Sequence, residues 1–74
     1  MRSFAKVSIN RDERVSFSIT LSRKMMELEG KRSFWPSSAT VTGYGRLRNV
    51  TVDKDEVDDL SDLVDRNGGD IQED

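Results

Sequence analysis

Arg14-Val15-Ser16-Phe17-Ser18-Ile19-Thr20-Leu21-Ser22 alternates polar and apolar residues over its whole length. Successive side chains of a strand point to opposite faces, so the stretch reads as a strand with one apolar and one polar side. Upstream, Ala5, Val7 and Ile9 alternate with Lys6, Ser8 and Asn10, and Asn10-Arg11-Asp12-Glu13 reads as a polar turn. Together these predict an antiparallel hairpin, residues 3–10 against 14–22.

Downstream, Ser22 to Gly30 carries two readings, strand or short helix. As a helix, Ser22 caps it, Met25, Met26 and Leu28 pack, and Gly30 stops it. Against this, Arg23 and Lys24 sit at the positive end of the helix dipole and Glu27 and Glu29 at the negative end. Lys31 to Ser38 is a loop marked by the one proline, Pro36. Thr40-Val41-Thr42 reads as strand, Gly43 and Gly45 around Tyr44 as a bulge or tight bend, and Leu47 to Val52 as a further strand.

Asp53 then opens the best helix. With Glu56 three residues on, it has the spacing of a capping box. Val57, Leu60 and Val64 recur at helical spacing, and Asn67-Gly68 ends the helix. Ile19-Thr20-Leu21-Ser22 and Val50-Thr51-Val52-Asp53 look alike because each reads as a strand running into a helix start. The expected fold is α+β: a small antiparallel sheet of three to four strands, with a C-terminal amphipathic helix on one face. Val57, Leu60 and Val64 are expected to pack on Val7, Ile9, Val15, Phe17, Ile19 and Val52. One domain is expected over residues 1–68, and residues 69–74 are expected to form a disordered acidic tail.

Composition narrows the chemistry. Seventy-four residues, 34% of them apolar, bury only a thin core. The chain has no cysteine and no histidine. That removes disulfides, thiolate and imidazole zinc sites, and the usual catalytic bases and nucleophiles. Asp53-Lys54-Asp55 starts like a calcium loop, but Val57 follows where a ligand is needed. No catalytic residue, metal site or cofactor is expected, and the chain reads as non-enzymatic. No apolar run is long enough for a signal peptide or a membrane span, so a cytoplasmic protein is expected.

Charge is divided along the chain. Residues 1–50 hold ten Lys/Arg and four Asp/Glu, whereas residues 51–74 hold two and ten. At 100° per residue, Asp55, Asp58, Asp59, Asp62 and Asp65 share one helix face opposite Val57, Leu60 and Val64. Like charges at i,i+4 (Asp55–Asp59, Asp58–Asp62) each cost roughly 0.2–0.5 kcal/mol in an isolated helix. A helix that only needed solubility does better with mixed charges, so this face is a candidate protein-docking surface. Arg32, Phe34 and Trp35 are a second candidate, since Trp and Arg anchor interfaces; the plain alternative is that the rings close one end of the core.

A third candidate is the polar side of the sheet, where Phe4, Lys6, Arg14, Tyr44, Arg46 and Arg48 offer stacking rings and phosphate-binding cations. Thr42-Gly43-Tyr44-Gly45-Arg46-Leu47-Arg48-Asn49 fits the RNA-recognition signature at its three central positions only, and the remaining stacking aromatics are missing. The leading expectation is a small regulatory binding protein of phage or mobile-element type. It would modulate a protein of the nucleic-acid machinery through its acidic helix. Single-stranded DNA or RNA binding is the alternative, and a homodimer with head-to-tail charge pairing the second alternative.

Overall fold

The computed structural model describes residues 13–31 and 33–74. They form β1 (Arg14–Thr20), α1 (Arg23–Lys31), β2 (Thr40–Thr42), β3 (Leu47–Asp53), a 3-10 turn (Lys54–Glu56), α2 (Val57–Arg66) and β4 (Asp70–Glu73). The fold is α+β, with one antiparallel sheet in the order β2-β3-β1-β4. Because β3 and β4 both run antiparallel to β1, they are parallel to each other, and α2 links them across β1. By the same argument α1 links β1 and β2 across β3. Two interlocked split βαβ units are the ferredoxin-like topology, an architecture that carries many unrelated functions.

The alternation in β1 does what its period requires. Phe17 and Ile19 are buried while Ser16, Ser18 and Thr20 are exposed. The core is completed by Leu21, Met25, Val50, Val52, Leu60 and Val64, with Val15 and Val57 packed at its margin. Val7 and Ile9, expected in the core, lie outside the described residues, as does the strand expected over 3–10. β3 pairs with the whole of β1, and β4 takes the other edge from Phe17 to Thr20. The hairpin partner expected for Phe17–Thr20 therefore has no free edge there.

Ser22–Gly30 is helix rather than strand, as α1. The Ser22 hydroxyl accepts the Met25 N–H at 3.1 Å, three residues on, and donates to the Asn67 carbonyl at 2.7 Å. One side chain thus caps the start of α1 and satisfies an orphan carbonyl at the end of α2. Replacing Ser22 by Ala removes both bonds, and an expected loss of about 1.5 kcal/mol is measurable as a lower thermal midpoint.

Two expectations need correction. The capping box at Asp53 does not form: Asp53 is extended and its side chain makes no cap bond, and the chain enters α2 through the 3-10 turn. Asp53 instead accepts from Arg14 Nη1 at 2.9 Å, and Glu56 accepts from Ser37 and Ser38. A guanidinium and two hydroxyls from other elements outcompete the local amide. The second correction is the tail. Residues 70–73 are strand β4, with Ile71 opposite Ile19. α2 ends in a Schellman turn, Gly69 N–H to Val64 O and Gly68 N–H to Asp65 O, with Gly68 at φ 79°. Gly69 then passes where a Cβ would lie 2.5 Å from Met25 Sδ and 3.0 Å from Thr20 O. The two glycines return the chain beside β1, and backbone pairing orders a segment whose side chains alone would not.

Candidate functional site

Asp55 on the 3-10 turn and Asp58, Asp59, Asp62 and Asp65 on α2 are all exposed, because Leu60 and Val64 commit the opposite side of the helix to the core. Among the described residues one ion pair falls on this face, Asp62 Oδ2 to Arg66 Nε at 3.1 Å, and both its side chains are about two-thirds exposed. Such a pair contributes little, so the face keeps its negative field.

The Phe34–Trp35 loop borders this helix and is held from two sides. Trp35 Nε1 donates to Glu29 at 2.8 Å, and Glu29 also receives Arg48 through Nε at 3.1 Å and Nη2 at 2.9 Å. The bidentate Arg48 contact, opposed by partial burial and helped by Trp35, holds the Glu29 carboxyl below the usual carboxylate range, and Arg48 is raised in turn. On the other side Glu56 accepts the Ser38 amide at 2.8 Å and hydroxyl at 2.6 Å, and the Ser37 hydroxyl at 2.9 Å. The Ser38 bonds lower its pKa as well. Both rings are partly buried and meet edge-on at 5.0 Å. They close one end of the core and still leave surface beside α2. Arg32 lies outside the described residues.

The loop and helix meet in a groove. One lobe, of about 490 Å³, has Leu28, Phe34 and Leu63 in its lining, and an adjoining lobe of about 270 Å³ has Phe34, Leu63, Asp59 and Asp62. Sequence marked Leu28 as a packing residue and Leu63 as the edge of the apolar helix face but neither as a site residue, since a half-buried leucine on a core helix looks like any other. Glu29 left a trace, being a carboxylate at the wrong end of a helix dipole.

The nucleic-acid candidates do not assemble. Phe4 and Lys6 lie outside the described residues. Arg14 spends its guanidinium on Asp53, Ser38 O, Thr40 and Thr51 O. Arg48 is spent on Glu29, Gly45 O and Leu47 O, and Arg46 Nε donates to Leu21 O. Tyr44 stands 89% exposed on the β2–β3 loop, between glycines at φ 116° and 65°. The open side of the two central strands presents Arg14, Ser16, Ser18, Thr20, Leu47, Asn49 and Thr51, none of them aromatic. Tyr44 borders it from the loop, lining a pocket with Ser18, Thr20, Leu47 and Asn49, and Asp70 and Asp74 lie at its edge. A stacking platform seats successive bases on several rings, and among the described residues Tyr44 is the single ring beside that surface.

Among the described residues no group of acidic side chains is arranged to hold a metal ion, and no helix is long and apolar enough to cross a membrane. No family model matches the chain, no curated protein matches it and no solved structure matches it.

Proposed function

We propose that this chain is a non-enzymatic binding protein that docks a basic partner protein on the acidic face of α2. The observation that carries the reading is the contrast between the two charge sets. Five aspartates face solvent with, among the described residues, a single exposed ion pair on their face, whereas Arg14 and Arg48 are consumed inside the fold. Lys/Arg-rich surfaces are what nucleic-acid-handling proteins present, so a partner from that machinery fits the chemistry and a regulatory role follows from masking such a surface.

The test is a nuclease-treated pull-down comparing the wild type with the double variant Asp58→Lys, Asp62→Lys. Both positions are exposed, so thermal midpoints are expected to agree closely. A basic protein retained by the wild type is expected to drop at least about tenfold in the variant, equivalent to 1.4 kcal/mol. The same set of retained proteins from both baits overturns the reading.

The exposure of Tyr44 favours one second reading, weak single-strand binding at the β2–β3 loop. It predicts oligonucleotide affinity that falls with salt and on Tyr44→Ala; no binding at low salt ends it.

A further inference from the structure

We infer that the groove between α1, α2 and the Phe34–Trp35 loop takes a short segment of the partner protein carrying one large apolar side chain flanked by lysine or arginine. The inference rests on the acidic-face reading and adds an anchor to it. Leu28, Phe34 and Leu63 come from three different elements, and each is only half-buried. Their exposed parts converge on one groove. Lys24 and Arg66 are the charged residues of the larger lobe, whereas Glu56, Asp59 and Asp62, with Arg66, line the smaller lobe beside Phe34 and Leu63. A side chain seated on Leu63 in the smaller lobe has carboxylates beside it, so a flanking cation is placed on that side and not beside Lys24. Asp59 to Arg66 spans about 10 Å along α2, the length of two helical turns or three extended residues of a partner.

Charge complementarity selects the occupant. An apolar anchor by itself does not distinguish partners, and an acidic face by itself binds any cation loosely. An anchor that excludes water beside Asp59 and Asp62 strengthens the pairing of those carboxylates with a flanking cation. The floor is also preorganised. Trp35 is tied to Glu29 and Ser38 to Glu56, so the loop bearing Phe34 needs little ordering when a ligand arrives. Among the described residues, the exposed Asp62–Arg66 pair is the ion pair a flanking cation must displace.

The test uses the full chain, isotope-labelled, and three synthetic helical peptides labelled with fluorescein. The first carries a single phenylalanine between pairs of lysine and arginine, the second has alanine in place of the phenylalanine, and the third has glutamate in place of the cations. The first is expected to bind at low salt and to shift the amide signals of Leu28, Phe34 and Leu63. Affinity is expected to fall at least about tenfold for the alanine peptide, a comparison that leaves the protein untouched. It should fall similarly on Leu63→Ala. Equal binding of the first two peptides, lost on Asp58→Lys with Asp62→Lys, overturns the groove and leaves the acidic face standing. No binding by either basic peptide brings down both. Preferred binding of the acidic peptide, or shifts centred on Tyr44 and Leu47, overturns the groove. So does a concentration-dependent shift of the groove signals in the protein alone, which would mark a second copy as occupant.

Discussion

Leu60→Ala lowers the unfolding free energy by about 3 kcal/mol, within the range for leucine truncation in a packed core. Leu60 is fully buried, in a cluster of eight buried side chains that includes residues of both central strands. A domain of this size rarely holds more than about 3–5 kcal/mol in total. The variant is therefore expected to be largely unfolded in modest urea where the wild type is native. Urea titration followed by Trp35 fluorescence measures it: the midpoint should fall with the slope unchanged. Leu63→Ala, three residues on but only half-buried, serves as control with a loss of about 1 kcal/mol. Equal losses at the two positions would mean that α2 is not seated as described.

Arg48→Ala is the second large effect, about 2 kcal/mol. Its guanidinium is 14% exposed and Glu29 is 23% exposed, so removal leaves a mostly buried carboxylate without its cation. It also frees Gly45 O and Leu47 O on the β2–β3 loop. Glu29→Gln separates the contributions, since the amide oxygen still accepts from Trp35 while the charge is gone. The pH dependence follows from the lowered pKa of Glu29. A carboxyl lowered in the folded state adds stability that is complete above its unfolded pKa. That stability is lost as pH falls through the lowered, folded value. Wild-type stability is thus expected to decline from the ordinary carboxylate range downward. Glu56, lowered by its Ser38 bonds, adds in the same direction. In Arg48→Ala the decline should be shallower, because the favourable charge contact is gone. Thermal midpoints measured as a function of pH for the two proteins check this, and parallel curves would remove the Glu29–Arg48 pair as the cause.

Both effects turn on side chains whose part in the fold came through unevenly from sequence. Leu60 was legible because an i, i+3, i+7 pattern needs only the helix period. The Glu29–Arg48 pair was not, because it joins a helix to a strand 19 residues away. Its sole local sign was an acidic residue placed against the helix dipole. The acidic face was legible for the same reason as Leu60: helical geometry alone puts Asp58, Asp59, Asp62 and Asp65 opposite the buried side. The arginines misled, since their residue type suggests phosphate contacts until Asp53 and Glu29 are seen to hold them.

Local periodicity and turn chemistry by themselves determined the α+β class, the strands at 14–20 and 47–52, the stop at Asn67-Gly68 and the outward acidic face, and left Ser22–Gly30 open between helix and strand. Each depends on residues within about two turns of one another, where backbone geometry is repetitive. Only the tertiary structure decided that residues 70–73 join the sheet, that the Asp53 and Glu56 side chains bond to other elements instead of capping, and that Leu28, Phe34 and Leu63 share a groove with Asp59 and Asp62 along one lobe. Those outcomes depend on competition between partners far apart in the chain. Ion pairs, hydroxyl bonds and a free strand edge outweigh local preferences worth about 1 kcal/mol each.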